Sequence, residues 1–322
     1  MFRSIVIPLD GSTSAAESLH YATLFAAPDT CVTLMRVVEV PPGLESMHHA
    51  DEFASERDRQ QLSLWQETDK LAAPLRAQGL DVAVAVRTGD ATDEIIACAH
   101  EHDADLIIMT THGAGGSRRW MLGSVTNKML HNTAIPLLVI HPPPPGGIRP
   151  EPANRFDAVL IPLDGSTFAE QALPIAAEIA NRCGARLELI RIVDDEPHDQ
   201  EVDGVAANGE RPNHQAVDLW RDNAQRYVHQ IGERVAHLTP VVTGIVRVGN
   251  PAAVLSALLA VRPRALVVLN TQGNRGAQRW VFSDVAEKIL TTAVVPTLVL
   301  RSDLVEPQSL HAMAEETVAQ ER

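Results

Sequence analysis

The sequence is poor in cysteine and contains no long apolar run. Its three cysteines, Cys31, Cys98 and Cys183, stand far apart among 322 residues. They form no C-x-x-C pair and no Cys/His spacing that suits zinc, so a reducing compartment is expected. The leading apolar residues 5–7 are not preceded by the charged leader of a signal peptide, and no apolar run is long enough to cross a bilayer. We therefore expect a cytoplasmic protein without a membrane partner.

Basic residues are also scarce. The chain has 27 Lys and Arg against 41 Asp and Glu, which gives a net charge of −14. Affinity for nucleic-acid phosphates comes from clustered Lys and Arg, so a nucleic-acid partner is not expected. Apolar residues make up 45% of the chain and charged residues 21%. These fractions are ordinary for globular proteins, and the length suggests two domains.

A long internal repeat divides the chain. Residues 5–13 read IVIPLDGST and residues 159–167 read VLIPLDGST, and a second pair of matching blocks lies at 106–125 and 266–285. Such self-similarity indicates two copies of one domain. The proline-rich stretch HPPPPGGIRPEP between the copies favours an extended linker. We predict domains at 1–141 and 156–302, a linker at 142–155 and a tail at 303–322.

Each half alternates short apolar strands with amphipathic helices. The pattern predicts five strands in each half, near 3–9, 31–38, 81–88, 105–110 and 136–140, and near 157–163, 186–193, 241–248, 265–270 and 296–301. It also predicts one continuous helix near 168–182. Strands of this kind are typical of a parallel sheet covered on both faces. Right-handed crossovers then give an α/β fold of two tandem, doubly wound, Rossmann-like domains.

Three segments of the first half are expected to meet at one edge of its sheet. Ligands of doubly wound folds bind at the carboxyl ends of the strands. Asp10 follows the first strand, and its carboxylate can accept hydrogen bonds from a ribose or a base edge. Val37 ends the second strand, where its backbone can contact adenine. After the fourth strand comes the frame Thr110-x-x-Gly113, nine residues, then Gly123-Ser124.

The glycine-containing frame has the chemistry of an anion site. Gly113 allows positive φ and a close backbone approach. Gly123 and Ser124 open a helix, whose first amides are unpaired and carry partial positive charge, so that this end attracts phosphate. Ser124 can cap the helix and also reach a phosphate oxygen. In an alternative interpretation, these residues and Asp10 are only turn and cap residues that the fold requires.

The pattern G-x-x-G-x9-G-[ST], with an aspartate after the first strand, resembles the ATP-binding type of universal stress protein. The resemblance covers both halves and implies the adenine nucleotide α-hydrolase-like version of the fold. It implies that ATP, with or without Mg²⁺, or a related adenine nucleotide binds to the first half. The residues it assigns are Asp10 and Val37 for adenosine, and Gly113, Gly123, Ser124 and the backbone of Val125 for the phosphates.

The resemblance also implies a role in stress physiology and a pairing of domains. Either the two halves take the part of the family's two subunits within one chain, as an intrachain pseudo-dimer, or two chains pair as a homodimer. Thr110 stands where the first glycine of the pattern belongs. A β-branched residue is unsuited to positive φ, but it is acceptable if the position needs only a small neighbour.

The second half departs further from the pattern. Its frame is Asn270-x-x-Gly273, nine residues, then Ser283-Asp284. A carboxylate at Asp284, about 4 Å from a phosphate charge, costs roughly 4 kcal/mol at an effective dielectric near 20. A helix N-terminus contributes only about 0.3–1 kcal/mol, so we expect little or no ATP there. Weaker candidates for a ligand in this half are Asp164, Ile192 and Gly273.

Two common phosphate-binding motifs are missing. The chain has no G-x4-G-K-[ST] and no G-x-G-x-x-G after its first strand, and no base that would activate water is evident. The leading hypothesis is therefore an ATP-binding regulatory protein without catalytic residues. Two alternatives stay open, namely a slow ATPase and a scaffold for partner proteins that works without nucleotide.

Overall fold

The protein folds as two compact units, residues 1–152 and 153–322. The computed structural model describes residues 2–27, 29–39, 50–111, 122–141, 155–194, 214–239, 241–271, 284–293 and 295–301, without the side chains of 50–56 and 284. The predicted tail, and the predicted linker up to residue 154, lie outside these ranges.

The first unit is a five-stranded α/β sheet. Its elements are β1 Ser4–Pro8, α1 Thr13–Phe25, β2 Cys31–Val38, α2 Ala50–Ala77, β3 Asp81–Thr88, α3 Ala91–Glu101, β4 Leu106–Thr110, α4 Ser124–Asn132 and β5 Leu137–Ile140. The strand order is β3-β2-β1-β4-β5 and every pairing is parallel. The chain winds outward from β1 to β3 and then crosses back to β4, so the order reverses between β1 and β4. That reversal is where doubly wound sheets open a crevice for ligands.

Burial and helix capping explain these elements. β4 is buried along its whole length, as expected for a parallel strand with helices on both faces. Ser12 caps α1 by accepting a hydrogen bond from the Ala15 amide at 3.0 Å. Asp90 caps α3 by accepting from the amides of Thr92 and Asp93. Each cap satisfies amides that the helix itself leaves unpaired.

The second unit repeats this architecture. Its elements are β6 Ala158–Leu163, α5 Thr167–Glu170, α6 Leu173–Cys183, β7 Arg186–Val193, α7 His214–Val235, β8 Val242–Val248, α8 Pro251–Ala260, β9 Ala265–Thr271, α9 Asp284–Thr292 and β10 Thr297–Arg301. The order is β10-β9-β6-β7-β8, again with parallel pairings throughout. The predicted class, two tandem doubly wound α/β domains with parallel sheets, is therefore confirmed.

The prediction of one helix near 168–182 is wrong. The helix is divided into α5, which ends at Glu170, and α6, which begins at Leu173. Pro174 is the second residue of α6 and explains the break. A proline has no amide hydrogen to donate, and its ring clashes with the carbonyl four residues earlier, which here is that of Glu170. Proline is tolerated in a first helical turn, so a new helix starts at this point.

The two longest helices carry charged residues over much of their length. They are α2 and α7, with 28 and 22 residues. Across the described part of the chain, no helix combines the length and the apolar character needed to cross a membrane.

Two buried threonines of the first unit differ in their hydrogen bonds, although both are 0% exposed. The Thr30 hydroxyl donates to the Phe2 carbonyl at 2.8 Å and accepts from the Ala27 amide at 2.6 Å. The Thr33 hydroxyl has no partner among the described residues.

We expect Thr30→Val to lower the free energy of unfolding by about 1–3 kcal/mol, because it leaves buried polar groups unpaired. Thr33→Val should leave the free energy unchanged or raise it by about 1 kcal/mol, because it removes an unpaired buried hydroxyl. Urea unfolding followed by circular dichroism measures both. Equal losses in the two variants would contradict this assignment of partners.

Candidate functional site

A cleft of about 790 Å³ lies at the carboxyl ends of β1, β2 and β4 in the first unit. Its volume is in the range of small-molecule sites, about 300–1,000 Å³. The structure brings six of the seven residues predicted for the first half into its lining. They are Asp10, Val37, Thr110, Gly123, Ser124 and Val125. The seventh, Gly113, lies outside the described residues.

Asp10 is held in a tight turn at the head of α1. Its Oδ1 accepts a hydrogen bond from the Ser12 amide at 2.9 Å, and Gly11 between them has a φ of 86°, which glycine adopts without steric cost. The second unit repeats the turn, with Asp164 Oδ1 accepting from the Ser166 amide at 2.9 Å. The turn therefore belongs to the repeated fold, and it fixes the direction of the carboxylate in both copies.

Arg36 is a cleft residue that was not among those predicted from the sequence. Its guanidinium lies directly on Gly11, where any side chain would collide with Nη2, and its Nη1 donates to Glu67 Oε2 of α2 at 2.9 Å. The Arg36 side chain is 13% exposed, whereas that of Glu67 is 55% exposed. Arg191 occupies the same place in β7, near Gly165. This recurrence in both repeats is the sequence signal that identifies the position.

The start of α4 forms the opposite wall. Gly123 is the N-cap residue, with φ −57° and ψ 149°, and no side chain caps the helix among the described residues. The prediction that Ser124 caps α4 is therefore wrong, since Ser124 is the first helical residue. A glycine cap leaves the first-turn amides without a side-chain acceptor, and such amides favour an anion.

Two hydrogen bonds join α4 to the end of β4. The Gly123 amide donates to the Thr111 carbonyl at 2.7 Å, and the Thr126 hydroxyl donates to the Thr110 carbonyl at 2.9 Å. The Gly123 amide is therefore already paired, whereas the first amides of the helix itself, those of Ser124 and Val125 among them, have no acceptor within the helix.

Thr110 ends β4 and is 8% exposed. Asp103 is the one non-glycine residue with positive φ in the described part of the chain. Thr110 therefore keeps ordinary strand geometry. The strain that a positive φ would impose on this β-branched residue is therefore absent.

An ion pair connects the two helices on the other side of the cleft. Asp90, the cap of α3, also accepts from Lys128 Nζ of α4 at 3.2 Å. The pKa of Asp90 lies below its usual value, because the Asp93 amide first, and then Lys128 and the Thr92 amide, stabilise the carboxylate. α3 and α4 each contribute lining residues, Ile95 and Ser124 among them, so this pair braces the wall.

The corresponding edge of the second unit has different contacts. Asn270 takes the place of Thr110, and its Nδ2 donates to the Phe168 carbonyl at 2.8 Å and to Gln171 Oε1 at 3.2 Å. Asp164 stays in its turn, and Ile192 is 8% exposed near the end of β7. Of the weaker candidates, Gly273 lies outside the described residues, as does the side chain of Asp284.

A tyrosine and a glutamate add a further polar contact in the second unit. The Tyr227 hydroxyl donates to Glu170 Oε1 at 3.0 Å, and burial, followed by Glu170, raises the pKa of Tyr227 well above its usual value. The end of α5 is thus tied to α7 as well as to β9. In the part of the chain that the structure describes, no group of three or more His, Cys, Asp or Glu side chains could hold a metal ion.

Comparison with known proteins gives the same architecture. The chain is 25% identical over 317 residues to a universal stress protein of Mycolicibacterium smegmatis, covering 92% of this chain and 96% of that one. It is 32% identical over 149 residues to a universal stress protein of Methanocaldococcus jannaschii, covering 44% of this chain and 84% of the relative. The crystal structure of a universal stress protein from Archaeoglobus fulgidus superposes with a TM-score of 0.65 at 19% identity, covering 93% of this chain and 98% of that one.

The tandem units define a protein with two adenine nucleotide α-hydrolase-like domains. The model of the universal stress protein family matches residues 1–141 and 155–301. The chain belongs to the universal stress protein family, as a member with two domains in tandem.

The bond from Thr126 to β4 is open to a direct test. Thr126 is 2% exposed, and Thr126→Val removes the hydroxyl and with it the hydrogen bond to the Thr110 carbonyl. We expect a loss of about 1–3 kcal/mol in the free energy of unfolding of the first unit. Thr126→Ser keeps the hydroxyl and serves as the control. Chemical unfolding of both variants measures the difference, and an equal effect in the two would mean that the hydrogen bond does not account for the loss.

Proposed function

We propose that the protein is a regulatory universal stress protein that binds ATP, or a related adenine nucleotide, in the cleft of its first unit. The carrying observation is that one cleft brings together the Asp10 turn, the end of β2 and the uncapped start of α4. Some members of the family bind adenine nucleotides, as a universal stress protein solved in complex with cAMP does. For this chain the proposal is supported by its own residues.

The adenosine end of the ligand is assigned to β1 and β2. The cleft there is walled by apolar side chains, including Met35, Val38 and Leu64, which suit a flat purine ring. Asp10 has a carboxylate fixed in direction by its turn, and a carboxylate is an acceptor for ribose hydroxyls. The backbone of Val37, beside this apolar wall, supplies polar groups for the edge of the base.

The phosphate end is assigned to α4. The first-turn amides of Ser124 and Val125 point out of the helix start, and the helix dipole adds partial positive charge there. Gly123 leaves the approach open because it has no side chain. Mg²⁺, where present, would arrive with the nucleotide phosphates rather than through a cage of protein ligands.

The first unit is proposed to be the main nucleotide site of the chain. At the position of Thr110, the second unit has Asn270, whose amide donates to Phe168 in α5 and to Gln171 in the turn that follows. That side chain is larger, and its contacts occupy the edge that Thr110 leaves open. The carboxylate of Asp284 at the start of α9 would add charge repulsion against phosphate.

We also propose that the protein works in a reducing compartment, as a cytoplasmic protein does. Cys31, Cys98 and Cys183 are free thiols, and Cys98 is buried. Burial raises the pKa of the Cys98 thiol, which keeps it protonated and unreactive.

The phosphate assignment is tested by replacing Gly123 with Asp and, as the matched control, with Asn. Both side chains fit the backbone of the N-cap and cap helices about equally well, so the two variants differ mainly in charge. Excess ATP, at about 100 times its dissociation constant, should raise the melting temperature of the wild-type unit by roughly 5–10 °C. Gly123→Asp should bind ATP at least tenfold more weakly than Gly123→Asn, because a carboxylate near a phosphate costs up to roughly 4 kcal/mol.

Adenosine, which has no phosphates, should bind the Asp and Asn variants equally. Calorimetric titration with ATP and with adenosine measures both ratios. If the two variants bind ATP with the same affinity, the phosphates do not lie at α4.

The proposal that ATP binds mainly to the first unit is tested with the aspartate turn that occurs in both units. Asp10→Ala and Asp164→Ala each remove an equivalent hydrogen bond, to the amides of Ser12 and Ser166, so their structural costs should be similar. Asp10→Ala should lower the affinity for ATP at least tenfold, because it removes the acceptor for the ribose. Asp164→Ala should leave the affinity for ATP unchanged. Isothermal titration gives both constants, and an equal loss in the two variants would refute selective binding by the first unit.

A further inference from the structure

A second groove is lined by residues other than those of the nucleotide cleft. It belongs to the second unit, between α7 and β8, and has a volume of about 710 Å³. β8 is the outermost strand in the order given for this unit, and β7 is its one partner among the described strands. The groove is lined by Gly232 and Glu233 of α7, by Thr239, and by Val242 and Gly244 of β8.

The first unit fills the corresponding place with an arginine. Arg76 of α2 donates to the Val82 carbonyl of β3 through Nε at 3.0 Å and through Nη2 at 2.8 Å. Its Nη1 donates to Asp69 at 2.6 Å. A guanidinium thus lies against the edge strand β3 and uses several of its fixed donors at once.

The buried positions of the two helices show which residue replaces Arg76. On α2, Ala72 and Leu75 are buried, and on α7, Val228 and Ile231 are buried with the same spacing. Arg76 directly follows Leu75, and Gly232 directly follows Ile231. Gly232 therefore occupies the helix position of Arg76.

The strands agree with this correspondence. Val82 of β3 pairs with Val32, the second residue of β2, and Val242 of β8 pairs with Leu187, the second residue of β7. A Cβ atom at Gly232 would lie 3.7 Å from Val242 Cγ1. Position 232 thus faces Val242 as Arg76 faces Val82, but without a side chain to fill the space.

The backbone acceptor that holds the guanidinium in the first unit has a counterpart in the second. The Val241 carbonyl accepts from the Leu187 amide at 2.9 Å and so points toward β7. Carbonyls alternate in direction along a strand, so the Val242 carbonyl points outward to the groove. Thr239 adds a hydroxyl that is buried, with the residue 2% exposed, and that has no partner among the described residues.

The charges of the groove are mixed. Glu233 is an acidic residue at its surface, 3.5 Å from His229 Nε2, while the helix position of Asp69, seven residues before Arg76, is taken by Gln225, an uncharged acceptor that also lines the groove. Arg247 also lines the groove, and its Nη1 donates to the carbonyl of its neighbour Val246 at 2.8 Å. Selectivity for a ligand must therefore come from fixed acceptors rather than from net charge.

We infer that the groove between α7 and β8 is a binding site for a guanidinium group, supplied from outside the unit by an arginine side chain of a polypeptide or by free arginine. The ligand takes the place that Arg76 takes in the first unit, with the Val242 carbonyl and the Thr239 hydroxyl as acceptors and Glu233 as the counterion. The site is independent of the nucleotide cleft.

The first experiment titrates the full-length protein with N-acetyl-arginine amide, followed by saturation-transfer NMR. N-acetyl-citrulline amide has nearly the same shape without the charge, and N-acetyl-lysine amide has the charge without the planar donors. Both should bind at least tenfold more weakly than the arginine compound. Equal binding of all three, or no binding of the arginine compound at about 10 mM, would overturn the inference. L-arginine in a parallel titration distinguishes the sources, since binding of the capped compound alone indicates a polypeptide ligand.

Substitutions of Gly232 test whether the arginine compound binds in this groove. Gly232→Arg restores the arrangement of Arg76 and should fill the groove with the protein's own side chain. Binding of the arginine compound should then be at least tenfold weaker. Gly232→Ala is the matched control, because its Cβ has ordinary contacts of 3.7 and 4.0 Å and leaves the groove open, so it should bind as the wild type does. Both replacements favour the helix relative to glycine, so loss of folding is not expected.

The reverse substitution, made in the first unit, is a second and independent test. Arg76→Gly should open the groove of the first unit and raise the number of bound arginine compounds from one to two per chain. Unchanged binding in Gly232→Arg, or an unchanged stoichiometry in Arg76→Gly, would show that the compound binds elsewhere.

Discussion

The attachment of α4 to the end of β4 is the constraint on which the cleft depends. The Gly123 amide and the Thr126 hydroxyl are bound to the carbonyls of Thr111 and Thr110. These bonds fix the position and direction of the helix start against a strand that is buried throughout. The amides of Ser124 and Val125 consequently have one orientation relative to Asp10, which follows the neighbouring strand β1. For the proposed ligand, donors and acceptors fixed in this way would lower the entropic cost of binding.

The two units show how one fold carries different surfaces. The apolar strands at the centre of each sheet are equally buried, and both copies retain the aspartate turn at the end of the first strand. The differences lie at the sheet edges, where Asn270 replaces Thr110 and Gly232 replaces Arg76. These substitutions leave the strand order and the parallel pairings of the two sheets the same. Sites on a shared fold are therefore to be inferred from each unit's own residues.

The fold was largely predictable from the sequence because its strands are short, apolar and repeated, and because a repeat that fits twice restricts the topology. The candidate cleft residues were predictable for a related reason, since glycines and an aspartate at strand ends follow from backbone requirements. Arg36 was not, because its contact with Gly11 joins two strands and depends on tertiary packing. The groove at Gly232 was not predictable either. It depends on how the helix α7 is aligned with the strand β8, and the local sequence pattern does not contain this alignment. The division of α5 from α6 was in principle readable from Pro174.

Pro174 illustrates a property of a duplicated chain that an assembly of identical subunits lacks. In a symmetric homodimer each substitution appears twice, so any change that closes one site closes its mate. Here the proline that breaks the helix stands in one copy alone, while the other copy has His20 and an unbroken α1 at the matching place. Because the two copies of a tandem chain are encoded separately, a substitution in one half leaves the matching position of the other half unchanged.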